Sequence, residues 1–313
     1  MFILLFNSKI SSEFNECKYT YMSAYTPIYD MTEKIEMTKK KVAVVTGSSS
    51  GIGYETALLL ARNGFDTFAT MRNMNKSKEI TDVAKKEDLP LWVLQLDVTD
   101  DRSVVDAIYN ISKKKNSIDV VVNNAGYGFM GSVEDSSLDE IKAQFETNFF
   151  GAIRVIQKVI PIMRKQKTGT IVNVSSIAGR IGFPMGSAYV SSKFALEGLS
   201  ESMSYELKQF GIKIVLIEPG VINTNFAFVT PKKVLDTNSS YTQLMNKLQE
   251  NLFSTIANGT SPKEVANVIL RAITEASPEH RYLVGNDAVE LINARKNSTD
   301  EEFEKVIVAN LLR

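Results

Sequence analysis

The sequence predicts an α/β fold, a single domain built on a doubly wound parallel sheet. Three observations carry that prediction. Apolar runs of four to six residues alternate with helical stretches from residue 40 onward, and this rhythm belongs to parallel sheets with crossover helices. The runs are continuously apolar, as in Val42-Ala43-Val44-Val45, which is the pattern of strands covered on both faces. The runs also end in small or polar groups: Thr46-Gly47, Asp97-Val98, Asn123-Asn124-Ala125-Gly126, Ser175-Ser176 and Pro219-Gly220. Ligands of such sheets bind outside the carboxyl ends of the strands.

Each element has its own warrant. The first strand covers 42–45, and a glycine turn leads into a helix over 52–62 that Asn63-Gly64 closes. A second strand is expected at 66–70, a helix around 76–86 and a third strand at 91–96. Asp97-Val98-Thr99-Asp100 ends that strand and can cap a helix over roughly 101–114. A fourth strand covers 118–122, one long helix 138–166 with Pro161 near its end, and a fifth strand 169–174. A second long helix over 187–210 and a sixth strand over 212–217 complete the regular part. Ser261-Pro262-Lys263-Glu264 reads as a capping box with proline at the first helical position, opening a helix to about 276. A short strand follows at 281–285, then a charged tail of helical pattern.

Two regions lie outside this rhythm. Residues 1–36 are expected to be a poorly ordered extension before the single α/β domain at 37–313. The apolar start Met1–Phe6 is too short for a signal peptide or a membrane helix, which needs roughly 20 apolar residues. Residues 223–260 carry Phe226, Phe228, Val229, Leu235, Tyr241, Leu244, Met245, Leu248, Leu252 and Phe253 with few turn signals, and are expected to form a lid over a substrate.

Composition narrows the function. Lys and Arg together number 36, as do Asp and Glu, so no net charge favours nucleic acid or an anionic membrane. The one cysteine, Cys17, excludes an internal disulfide or a cysteine metal cluster and fits a reducing, cytoplasmic setting. The one histidine, His280, argues against Ser-His-Asp hydrolysis and histidine-rich metal sites, and its Ser-Pro-Glu-His-Arg context reads as a surface turn. No metal site is expected.

The chemistry gathers at the strand ends. In Thr46-Gly47-Ser48-Ser49-Ser50-Gly51-Ile52-Gly53 the glycines admit close backbone approach, and the helix start offers free N–H groups to a pyrophosphate. Tyr189 and Lys193 stand four apart on one helix face. A nearby ammonium favours the phenolate, so the pair reads as a tuned acid/base. Ser176, thirteen residues before Tyr189, can bond a substrate oxygen.

In this order the motifs resemble the short-chain dehydrogenase/reductase family over about residues 40 to 285: Thr46–Gly53, Asp97-Val98, Asn123-Asn124-Ala125-Gly126, Asn148, Ser176, Tyr189-x-x-x-Lys193 and Pro219-Gly220 with Thr224. The resemblance implies a Rossmann-type fold and an oxidoreductase. It makes Tyr189 the proton donor or acceptor, and gives Lys193 the tyrosine pKa and the nicotinamide ribose. It gives Ser176 the substrate oxygen and Asn148 a place in a water relay. It puts Asp97 and Val98 by the adenine, Asn123, Ala125 and Gly126 near the adenosine ribose, and Pro219, Gly220, Val221 and Thr224 at the carboxamide end. Gly47, Ser49, Ser50, Gly51, Ile52 and Gly53 would line the phosphates. The stretch around Tyr189–Gly198 is most similar to the hydroxysteroid and retinol dehydrogenase-like branch, implying a small apolar alcohol or carbonyl substrate and a homodimer or homotetramer.

No carboxylate stands at Thr70, Met71 or Arg72, and Arg72 can meet a 2′-phosphate, aided by Lys76 or Lys78. NADP(H) is therefore expected over NAD(H). A non-enzymatic dinucleotide sensor is the alternative, though such proteins typically lose the tyrosine or lysine present here. The loop also lacks the T-G-x-x-G-x-x-G spacing of related epimerases.

Overall fold

Val42–Val45 are all fully buried and form β1 near the middle of a seven-stranded sheet. The structure, a computed structural model, describes residues 40–224, 226 and 239–311. The predicted extension at 1–36 and the lid residues Phe228, Val229 and Leu235 lie outside the described residues, as do the side chains of Leu252 and Phe253.

The elements run β1, α1 (Gly51–Arg62), β2 (Asp66–Met71), α2 (Lys78–Lys86), β3 (Leu91–Gln95), α3 (Asp101–Lys115) and β4 (Val120–Asn123). They continue with α4 (Leu138–Phe145), α5 (Gly151–Gln166), β5 (Gly169–Val174), α6 (Ser187–Leu207) and β6 (Ile212–Pro219). Next come α7 (Thr242–Ala257), α8 (Pro262–Thr274), β7 (Arg281–Val284), α9 (Asn286–Asn297) and α10 (Asp300–Leu311). The strand order is β3-β2-β1-β4-β5-β6-β7, and every pairing is parallel. Chain order reverses between β1 and β4, the place where such sheets open a crevice at their carboxyl edge.

Apolar side chains alternate across the strands, so each face acquires its own core. Val44, Phe68, Val121 and Ile171 pack against Val104, Val155, Val159 and Leu196 of α3, α5 and α6. Val45, Ala69, Val122 and Val172 pack against Leu58, Val265 and Ile269 of α1 and α8. Each such fully buried aliphatic side chain contributes about 1.5–3 kcal/mol of transfer free energy, which fixes both helix layers on the sheet.

Several boundaries differ from the sequence reading, each for a local reason. The single long helix expected over 138–166 is three pieces: α4, a π-helical turn over Glu146–Phe150, and α5. Periodicity does not register one extra residue in a turn. A capping box forms at Ser137 and Glu140, opening α4. The one expected at Ser261 does not: its hydroxyl accepts instead from Lys263 N. Strand β6 runs on through Glu218 and Pro219, because β7 pairs with it there, Leu283 beside Glu218 and Val284 beside Pro219, while Arg180 and Arg281 pair with the Glu218 carboxylate. His280 is half-buried rather than a surface turn residue. Its Nδ1 lies 3.0 Å from the Ile214 carbonyl oxygen, and its buried Nε2 has no partner among the described residues.

The lid region is partly described. Residues 242–257 form α7, which buries Met245 and Leu248 against Met185. Its stem is closed: Asn223 N donates to Thr260 O at 2.9 Å, and Thr260 N to Val221 O at 3.0 Å.

Candidate active site

The loop after β1 is built around two left-handed glycines, Gly47 at φ +69° and Gly51 at φ +60°. The loop after β4 holds it in place. Asn124 Nδ2 donates to the carbonyls of Thr46 at 3.0 Å and Gly47 at 3.1 Å. Thr46 Oγ1 accepts from the backbone N–H groups of Asn124 and Ala125, both at 3.0 Å. Asn124 was not among the expected site residues. Its partners lie nearly eighty positions away in sequence, and only its place at a strand end hinted at it.

This cradle fits a dinucleotide pyrophosphate. A Cβ on Gly53 would stand 2.5 Å from the Gly47 carbonyl oxygen, and one on Gly47 would stand 2.8 Å from Ala125 Cα. Ser50 caps α1 without any side-chain bond, so the first-turn N–H groups, which have no partner within a helix, are left for an anion. Ser49 and Ile52 are half-buried and Ser50 exposed at the same turn. Across the groove, the methyl of Thr224 lies 3.4 Å from the position of a Gly51 Cβ. The Pro219-Gly220-Val221 loop is anchored from α9, where Asp287 Oδ2 accepts from Val221 N at 2.7 Å. The Asp287 carboxylate also occupies the space a Gly220 Cβ would need.

At the adenosine end the outcome is mixed. Asp97 Oδ1 accepts from Thr99 N and Oγ1 at 3.0 and 2.8 Å, with Val98 buried beside it. The Asn123 side chain, expected near the ribose, is buried and donates to Asn173 Oδ1 at 2.9 Å. Arg72 is exposed and makes no ion pair among the described residues. Lys78, a suggested helper, is already paired with Asp82 one turn on.

The reacting groups converge beyond β4 and β5. The π-helical turn carries Asn148, buried, inward against the loop after Gly126. Asn148 Oδ1 accepts from Tyr127 N at 3.1 Å, and its Nδ2 donates to Tyr127 O at 2.9 Å and Ser192 Oγ at 3.4 Å. Gln144 Nε2 shares Tyr127 O at 2.7 Å. Ser176 caps the short turn Ile177–Gly179, accepting from Ala178 N at 3.1 Å and donating to Pro219 O at 3.3 Å. Its hydroxyl also stands close enough to the Tyr189 oxygen to favour the ionised phenol. Lys193 is buried, donates from Nζ to Val174 O at 2.8 Å and lies 5.8 Å from the Tyr189 ring centre.

The electrostatics correct one expectation. Lys193 was to lower the tyrosine pKa; instead burial pushes Tyr189 up to about 12, opposed only by the Ser176 hydroxyl. The Tyr189 residue as a whole is half-exposed, so the burial in question is that of its hydroxyl end. Burial likewise pushes Lys193 down to about 8, against the Glu197 carboxylate, which raises it.

A family model for short chain dehydrogenases matches residues 41–235. The chain belongs to the short-chain dehydrogenase/reductase family and is an oxidoreductase of that family. Oxidoreductase BOA17 of Botryotinia fuckeliana is 36% identical over 274 residues, covering 86% of this chain and 99% of that protein. Retinol dehydrogenase 8 of Bos taurus is 39% identical over 255 residues, covering 77% and 80%. A solved short-chain dehydrogenase from Streptomyces avermitilis matches with a TM-score of 0.75 at 30% identity, covering 86% of this chain and 98% of that one. A metagenomic short-chain oxidoreductase solved in complex with NADP matches with a TM-score of 0.64 at 26% identity, covering 78% and 96%. Among the described residues no helix is long and apolar enough to cross a membrane, and no group of three His, Cys, Asp or Glu residues is placed to hold a metal ion.

Proposed function

We propose that the protein interconverts an alcohol and a ketone or aldehyde, with Tyr189 as the acid/base, NADPH as the favoured reductant and an apolar substrate. The observation that carries the reading is the convergence of Ser176, Tyr189, Lys193 and Asn148 beside a stitched glycine loop. A structural relative holds NADP, and a relative bears the name retinol dehydrogenase 8.

When bound, the nicotinamide supplies the hydride. Ser176 donates to the carbonyl oxygen of the substrate and orients it. Tyr189, protonated across the neutral range, gives its hydroxyl proton to that oxygen as charge develops there. Lys193, held on the Val174 carbonyl, stabilises the phenolate left behind and faces the ribose. Asn148 fixes the loop after β4 and stands at the head of the relay that returns the proton. Arg72, just past the end of β2 and in no ion pair among the described residues, favours the 2′-phosphate of NADP(H) over NAD(H).

Apolarity of the substrate is supported by the walls that reach the site. The Phe226 ring lies 6.0 Å from the Tyr189 ring. Met185, four residues before Tyr189, packs with Met130, Met245 and Leu248. The same reading makes the protein a cytoplasmic homodimer or homotetramer. A turnover screen with NADPH and NADH against ketones and aldehydes of graded size tests it. Bulky apolar carbonyls are expected to react best with NADPH. Turnover confined to small polar sugars or hydroxy acids, or none at all, would overturn it.

A further inference from the structure

Tyr189, Lys193, Glu197 and Glu201 recur every four residues and share one face of α6. The proposed reaction uses the first two and leaves the carboxylates unexplained. Glu197 is buried, and its Oε2 accepts from Arg281 Nε at 3.0 Å. Arg281 Nη2 donates to Glu201 Oε2 at 2.6 Å, and its Nε lies 3.3 Å from Oε1 of Glu218. Arg180 Nη1 bonds both oxygens of Glu218, at 3.1 and 3.3 Å. The cluster thus joins α6, β6, β7 and the turn after β5. Together with Lys193 it holds three cations and three carboxylates, a balance that buried charges require.

Two details point from this cluster into the catalytic centre. Glu197 Oε1 and Ser175 Oγ are buried without a hydrogen-bond partner among the described residues. Ser175 Oγ, Glu197 Cγ and the Lys193 carbonyl all crowd the place a Gly179 Cβ would take, at 2.9, 2.7 and 3.1 Å. Among the described residues, one carboxylate oxygen of Glu197 is therefore left without a donor, on a residue one helical turn from Lys193. At the other end of the cluster Glu218 immediately precedes Pro219, whose carbonyl receives the Ser176 hydroxyl.

We propose that Glu197 is a positioning residue that keeps the Lys193 ammonium charged at the catalytic centre, with Arg281 setting how much of its negative charge Lys193 feels. The inference rests on Tyr189 and Lys193 being the acid/base pair. The charged and titratable groups on the Lys193 face of α6 are Tyr189, Glu197 and Glu201. The carboxylate end of that face meets Arg281 of β7, which reaches Glu218 of β6 and through it Arg180 of the turn after β5, with His280 and Arg180 within electrostatic reach of Glu201. Strand β5 meets Lys193 through the Val174 carbonyl, and α4 and the π turn bring the neutral Gln144 and Asn148 beside Tyr127 and Ser192.

Removing a nearby negative charge disfavours the lysine proton, and removing a positive one favours it. Glu197→Gln and Arg281→Gln therefore act with opposite sign. Lysine is labelled with 13C at Cε in the full chain, and the Lys193 resonance is assigned by its loss in Lys193→Arg. Its midpoint is expected to fall by about one pH unit in Glu197→Gln and to rise in Arg281→Gln. Glu201→Gln, half-exposed, should leave it near its original place. The alkaline limb of carbonyl reduction should move in the same two directions. Loss of thermal stability in both variants with an unmoved Lys193 midpoint would overturn the proposal. Should Glu197→Gln not fold, the sign of the Arg281→Gln shift decides alone. Absence of turnover in the unaltered protein would defeat the functional reading, and the lysine titration would still decide this one.

Discussion

Tyr189→Phe removes one oxygen and keeps the ring that packs near Phe226 and Lys193. The proton is lost and the cradle is untouched. Carbonyl reduction should drop by about 10²–10⁴-fold in kcat, while dinucleotide affinity by fluorescence titration stays near that of the unaltered protein. Near-normal kcat would show that the acid lies elsewhere. Arg72→Ala should weaken NADPH and spare NADH, because no carboxylate at Thr70, Met71 or Arg72 repels a phosphate and no ion pair engages the guanidinium among the described residues. The preference at stake is about 10–100-fold in kcat/KM, the worth of one exposed charge-assisted contact of roughly 1.5–3 kcal/mol. NADH used as well as NADPH by the unaltered protein would remove the assignment. At this scale the sequence was most readable where spacing alone places a group. Tyr189 and Lys193 were singled out by that spacing, and Ser176 by its distance from Tyr189 in the family that the motifs resemble. Asn124, Glu197 and Asp287 were not, because their partners Gly47, Arg281 and Val221 are joined to them only by folding. The direction of the Tyr189 pKa was misread for a related reason: helical spacing gives the distance to Lys193 but not the burial of the hydroxyl.

The glycine loop and the π-helical turn are the two elements on which the site depends. Gly53 packs into α1 with its missing Cβ directed at the Gly47 carbonyl, 2.5 Å away. That neighbour is backbone and is itself held by Asn124, so it cannot give way cheaply. Gly53→Ala should cost about 1–3 kcal/mol and lower Tm on the order of 5 °C, with a matching loss of dinucleotide affinity. A variant as stable as the unaltered protein would mean the loop yields where the contacts say it cannot. The strands were legible almost residue for residue, since runs such as Val42–Val45 and Gly169–Val174 are buried on both faces and have no other way to be covered. The break at Glu146–Phe150 was not legible, because a π turn changes the phase of a helix without changing its composition. It matters all the same: it is the turn that carries Asn148 against Tyr127.

For the whole molecule, the argument for self-association shifts from one set of residues to another. In sequence, Ile153, Val155, Ile156, Val159, Ile160 and Ile162 of α5 fall on more than one face of the helix, the pattern of a helix covered on both sides. In the fold Val155, Ile156 and Val159 are buried in the sheet-side core, and Ile160 and Ile162 pack against the same core. Those residues need no partner. On the π-helical turn and α6 the exposed aromatic residues are Phe150 at 45%, Phe194 at 46% and Tyr205 at 72%. Phe194, Gly198 and Tyr205 are spaced by four and seven residues, so they line one face of α6. A Cβ on Gly198 would meet nothing within 4 Å, so the helix backbone is open there to close approach. Two exposed aromatic rings, with the open Gly198 and the half-exposed Glu201 between them, form a patch suited to contact with a second chain. Light scattering at micromolar concentration should therefore give the mass of a dimer or tetramer. Phe194→Glu combined with Tyr205→Glu should shift it to the monomer, by placing like charges opposite one another across a self-complementary contact. Both side chains already face solvent, so the double variant should keep the fold, and circular dichroism would show this. A monomer in the unaltered protein, or an oligomer indifferent to both charges, would move the interface off α6.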